Sequence, residues 1–223
     1  MFYKIIKSYQ ILPKNIHLLF FLEFSLSLIH VAFILVLNIL LRKKGFSDPE
    51  IASFNSLRFI SALAFALPLG IYIRGRKLKP FFILAAIIVP ITSALIIESI
   101  DYGIIPLIQL SFLLWGFGMM LMRVCSLPFV IRNTTSENST EALSLIAATW
   151  SLSTIISGFI ISGLNWIDFI IFKNIIFVFD EQKILWFITI IGFSGLFFAN
   201  KIKEYEQTVV KLEKGIFNHS RTI

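Results

Sequence analysis

An all-α fold of six membrane-spanning helices is what this sequence predicts, on three observations. Apolar residues make up 57% of the 223 positions, above the roughly 45–50% of soluble domains. They arrive in blocks near 16–41, 52–73, 80–98, 104–131, 142–164 and 184–200, and a helix needs about 17–25 such residues to cross the hydrocarbon core. Basic residues gather at the connections, as in polytopic chains whose cytoplasmic loops attract Lys and Arg. A water-soluble fold of 25.5 kDa has no means of burying so much apolar surface.

Lys4, Lys7 and Lys14 lead into the first block, in a short cytoplasmic segment over 1–15. No small-residue cleavage site follows a short apolar core, so the block reads as a retained span and not a signal peptide. Within it Glu23 and His30 stand seven residues apart, on nearly one helical face, with Asn38 farther along. Such a face either lines a hydrated pathway or is satisfied inside the bundle, with Glu23 paired to a basic group near the inner interface. Arg58 opens the second block and reads as an interfacial or snorkelling side chain.

Pro68, Pro90 and Pro128 fall inside spans 2, 3 and 4, where each removes a backbone donor and favours a kink. Span 4 carries Gly116 and Gly118, fit for a close helix crossing, and then Arg123, which needs a cavity, an ion pair or an anchoring place at the inner headgroups. Gln109, Trp115, Thr149 and Trp150 are weaker candidates for the same cavity. Ser153, Ser157 and Ser162 with Gly158 and Gly163 give span 5 a small-residue face for close packing. The patch Phe169–Phe179 has too few residues to cross as a helix, and reads as an interfacial helix or an extension of its neighbours, with a seventh or re-entrant segment as the alternative. Beyond the bundle, 16–200, the tail 201–223 returns to soluble composition.

Placing the N-terminus in the cytoplasm puts thirteen of the twenty basic residues inside and five outside, with Arg58 and Arg123 within spans. Both termini are therefore expected in the cytoplasm of a multi-pass cell-membrane protein, although the Arg42–Lys43–Lys44 cluster opposes this locally. The net charge of +7 is directed at lipid headgroups and not at nucleic acid. A single cysteine, Cys125, excludes an intrachain disulfide and a multi-cysteine metal site. His17, His30 and His219 are dispersed, and no phosphate-binding Gly-rich loop, HExxH or GxSxG pattern occurs. No catalytic activity, cofactor or metal is expected.

Two stretches carry a family resemblance. LPLGIYIRGRKLKPF, from Leu67 to Phe81, resembles the 2–3 loop signature of the major facilitator superfamily, and Gly116 to Gly163 is similar to its helix 4, polar loop and helix 5. The resemblance covers about Ile16 to Asn200 and implies the N-terminal six-helix half of a transporter. It further implies alternating-access transport of an unidentified small solute, with Glu23, His30 and Arg123 as substrate- or proton-pathway candidates, Glu23 being the proton carrier. Gly70, Arg74, Gly75, Arg76 and Lys77 are the corresponding gating-loop candidates. The acidic residue of the signature is absent, Arg74 standing near its place, and the spacing between the glycines is shortened. Because the family uses two such halves, the chain is expected to act as a half or truncated transporter, beside a second six-helix half or as a homodimer. A non-transporting scaffold or assembly protein is the alternative.

Overall fold

Apolar segments of this length satisfy their backbone amides internally by forming helices. The computed structural model describes residues 9–171 and 179–204. Among them six helices are long and apolar enough to cross a membrane: α1 (Lys14–Lys43), α2 (Asp48–Tyr72), α3 (Lys79–Asp101), α4 (Ile105–Asn133), α5 (Ser139–Ile171) and α6 (Glu181–Lys201). Each predicted block becomes one helix. The helices run past their blocks where capping chemistry extends them. Before α2 the Glu50 carboxylate accepts from the Ser47 amide (2.8 Å) and hydroxyl (2.6 Å), a carboxylate placed at a positive helix terminus. Asp180 accepts from the Lys183 amide at the start of α6. α5 continues to Ile171, so the first residues of the Phe169–Phe179 patch extend that helix, while 172–178 lie outside the described residues.

Pro68, Pro90 and Pro128 sit within continuous α-helix. The irregularities lie elsewhere. α1 widens into a π-helical turn at Phe33–Leu37, and α6 is interrupted at Phe193, between Gly192 and Ser194. That break faces α1, where Ser25 donates to the Phe21 carbonyl (2.8 Å) and meets the Ser194 hydroxyl at 2.9 Å.

α4 packs between α2 and α3, α1 packs between α5 and α6, and α3 lies on α6; α1 and α4 also touch. Exchanging α1–α3 for α4–α6 carries these main pairings onto one another. The start of α1 meets the end of α4 through an Asn15–Asn133 side-chain hydrogen bond of 2.8 Å, so corresponding helices run in opposite directions, the topology of an inverted three-helix repeat. α1, α3, α4 and α6 make the core; α2 and α5 are its wings, each with only 17% of its most apolar stretch buried. Large aromatics fill the core: Phe54 packs on Phe112 and Phe82 on Phe129, all almost fully buried.

Close approach depends on two glycines of α4 and one of α6. A Cβ at Gly116 would lie 2.3 Å from the Arg58 carbonyl oxygen, and one at Gly118 would strike Val89 and Ile88. At Gly192 it would strike Ile29. The small-residue face expected on α5 is only partly realised. Ser153 and Ser157 are buried, Ser157 near the Leu28 carbonyl of α1 at 3.4 Å, but Ser162 is exposed and the space beside Gly158 and Gly163 is open. The helical period explains the split, because α1 covers the stripe through 149, 153 and 157 and those three residues fall off it.

One end of the bundle gathers the start of α1 and the residues that follow α6. Asn15 donates to the Lys203 carbonyl (2.7 Å), and the Glu204 carboxylate accepts from the amides of Leu78 and Lys79 at the start of α3. At the opposite end Arg42, Lys43 and Lys44 each meet a carboxylate: Asp48 at 3.0 Å, Glu181 at 2.6 Å and Asp101 at 2.5 Å. The basic cluster that stands against the predicted orientation is thus an ion-paired staple joining α1 to α2, α6 and α3.

Candidate functional site

The three pathway candidates converge. α1 contributes Glu23 and His30, and α4 contributes Arg123. A cavity of about 510 Å³ between α1, α4 and α5 is lined by Glu23, Ser27, Met119, Arg123, Thr149 and Trp150. A second, of about 290 Å³, lies between α1, α2 and α4 and is lined by His30, Arg58, Phe59, Trp115, Met119 and Arg123. Exchange of the triplets turns one set of helices into the other. Arg123 and Met119 belong to both cavities and form the ridge between them.

Aromatic rings organise this centre. The His30 imidazole stacks on Trp115 (5.0 Å between centroids, 11° between planes) and meets Trp150 edge-on (4.9 Å, 61°). The Arg58 guanidinium lies 5.8 Å from the Trp115 ring and 4.7 Å from that of Phe59, and Arg123 lies 5.3 Å from Trp150. The sequence of groups is therefore guanidinium, indole, imidazole, indole, guanidinium, drawn from α2, α4, α1, α5 and α4. The π-helical turn of α1 begins three residues after His30, a distortion that re-aims side chains and recurs at functional sites. Glu23 accepts a hydrogen bond from Ser126 of α4.

The centre is rich in unmet polar capacity. His30 Nδ1, Arg58 Nε and Trp115 Nε1 are buried without a hydrogen-bond partner, whereas most buried polar groups find one. Neither arginine has a carboxylate at ion-pair distance among the described residues, although Arg123 lies within electrostatic reach of Glu23.

Arg58 departs from its expected interfacial place. It stands ten residues inside α2, about 15 Å along the axis, and reaches the shared centre, half-buried. Its backbone is held there by the missing side chain of Gly116. The signal is in the sequence, since Ser47-Asp48-Pro49-Glu50 is a helix-start signature that moves Arg58 about one turn deeper into the helix than the block starting near 52 implies. Of the weaker candidates, Trp115, Thr149 and Trp150 line the cavities and Gln109 is exposed away from them. Asn38, on the far side of the π-helical turn, instead accepts from Asn55 of α2 at 3.0 Å.

The gating-loop candidates lie at the end where α1 starts and α6 finishes. Gly70 remains inside α2, with open space beside it. Gly75 adopts φ +67°, which favours glycine. Arg76 covers the Tyr72 ring at 4.0 Å, while its carbonyl, with that of Ile73, accepts from the Arg132 guanidinium at the end of α4. Arg74 is exposed, and Lys77 lines a groove with Lys79, Lys203 and Glu204. Glu204, beyond the end of α6, reaches the end of this loop and accepts from the Leu78 and Lys79 amides.

No protein family and no curated protein matches the sequence.

Proposed function

We propose that this chain is one six-helix half of a membrane transporter, which moves a small solute by alternating access along the face of α1, α2, α4 and α5. The observation that carries this reading is the pair of cavities meeting at Arg123, walled by helices that exchange under the inverted three-helix repeat. Inverted triplets nested in a six-helix half are the architecture of major facilitator transporters, whose substrate sites lie near mid-membrane between repeats. The resemblance of Leu67–Phe81 and Gly116–Gly163 points the same way. In this reading the helices cross the cell membrane with both termini in the cytoplasm, and a second half or second copy closes the open face. Glu23, His30 and Arg123 lie on the solute or proton path, and the loop from Gly70 to Lys77 forms part of the inner gate.

The test is access from both sides. In a Cys125→Ser background, Ser27→Cys and Ala147→Cys each put one thiol on the larger cavity's wall. In oriented proteoliposomes a membrane-impermeant maleimide should label each from either face, with the two rates shifting oppositely when a transported solute is present. Labelling from one face only, in the chain alone and in its isolated native complex, would favour the scaffold reading.

A further inference from the structure

The centre offers donors and positive charge with too few acceptors to meet them. Arg58 and Arg123 both line the smaller cavity. The aromatic rings beside them, Phe59 and Trp115 for Arg58 and Trp150 for Arg123, accept no conventional hydrogen bond, so the in-plane N–H donors of both guanidiniums keep capacity for an anion. Trp115, 1% exposed, leaves its indole N–H unpaired at the same cavity, as does Arg58 its Nε. Among the described residues the only carboxylate on these walls is Glu23, on the far side of the Arg123 ridge and engaged by Ser126. Two guanidiniums and one carboxylate leave the site one positive charge in excess. Around these groups the lining is apolar and aromatic, with Phe59, Ala62, Ala66, Met119, Met120 and Val124.

We propose that the cavity between Arg58 and Arg123 binds an organic anion, a carboxylate or phosphonate on an apolar, preferably aromatic body. The anionic head accepts from the two guanidinium edges and the Trp115 N–H, and the body lies along Phe59, Met119 and His30. Paired arginines suit this task because their planar forks bind oxyanions with two parallel hydrogen bonds. An inorganic anion would use the donors but leave the apolar wall unfilled; a neutral or cationic solute would leave the donors unmet.

This inference rests on the transport reading for how the ligand reaches the site, and it is tested by binding so that either can fail alone. Radiolabelled benzoate is bound to the purified full chain in lipid nanodiscs and challenged with phenylphosphonate, benzamide or benzylammonium. Saturable benzoate binding is expected, displaced by phenylphosphonate and by neither uncharged benzamide nor the cation. Arg58→Gln and Arg123→Gln should each weaken it at least about tenfold, the scale of a lost charge-assisted hydrogen bond, while Arg58→Lys and Arg123→Lys, which keep the charge, lose less. Gel filtration and circular dichroism establish that each variant is folded, and the lysine variants carry the comparison if a glutamine variant is not. Absence of saturable binding, displacement by benzamide as strong as by phenylphosphonate, or undiminished binding in folded Arg58→Gln/Arg123→Gln would each overturn the proposal.

Discussion

At the residue scale, the position of Arg58 is governed by an atom that is absent from its neighbour. Gly116 lets the α2 backbone come so near that a Cβ would sit 2.6 Å from the Arg58 Cα and 2.3 Å from its carbonyl oxygen. Backbone cannot rotate aside as a side-chain tip can. Gly116→Ala should therefore drive α2 outward, destabilising the bundle by about 1–3 kcal/mol, the usual scale for overpacking. Gly192→Ala meets only the Ile29 side chain, which can change rotamer, and should cost less. Gly158→Ala enters open space, and should be neutral or stabilise by up to about 1 kcal/mol through helix propensity. Unfolding of the three variants in mixed micelles, titrated with a denaturing detergent, should rank them Gly116 worst, then Gly192, then Gly158. A Gly116 variant as stable as the parent would mean that α2 and α4 are not in this register.

At the scale of elements, the helices were legible because the apolar blocks are long and nearly free of charge, and because few connections could hide a boundary. The site was legible only in part. Glu23, His30 and Arg123 stand out as polar groups in apolar surroundings, and they do converge. Arg58 is obscured because hydropathy places the α2 block near 52–73, whereas the capping sequence before it starts the helix at Asp48. The two tryptophans carry no sequence signal that separates a cavity wall from core filling, since that depends on what α1 presents opposite them. Glu204 is a similar case. In sequence it belongs to a polar tail, yet its carboxylate caps α3 from over a hundred residues away, bonding Leu78 and Lys79 at 2.9 and 2.8 Å. A carboxylate at a helix N-terminus meets both orphan amides and the positive dipole end. Glu204→Gln keeps the shape but replaces the charged acceptor, and should cost about 0.5–2 kcal/mol. In the same denaturing-detergent titration the loss should be additive with Gly158→Ala, as distant sites are. Amide hydrogen exchange should quicken first at Leu78 and Lys79; uniform quickening along α3 would instead indicate loss of packing.

At the scale of the whole molecule, the two wings frame an open face. α2 and α5 are the least covered helices, and between them the site leaves Arg123 and Trp150 exposed. An ionised group at mid-membrane faces protein or water and seldom lipid, so under the transport reading this face needs a cover. If that cover is a second copy related by a two-fold axis along the membrane normal, closing face to face brings α2 of each copy against α5 of the other. The same axis never sets α2 against α2 at the wings. Leu63 and Ile155, exposed at 78% and 56% near the middle of their helices, are suitable reporters. In a Cys125→Ser background, Leu63→Cys and Ile155→Cys on separately tagged copies should form a disulfide-linked dimer on mild oxidation in native membranes. Leu63→Cys paired with itself should not. Cross-linking through Leu63 alone would place the copies back to back and leave the cavity to lipid or to a different partner. Absence of any cross-link, with a monomer by single-molecule photobleaching, would assign the cover to a second, non-identical half, to be sought among chains that co-purify and restore two-sided access at Ser27→Cys.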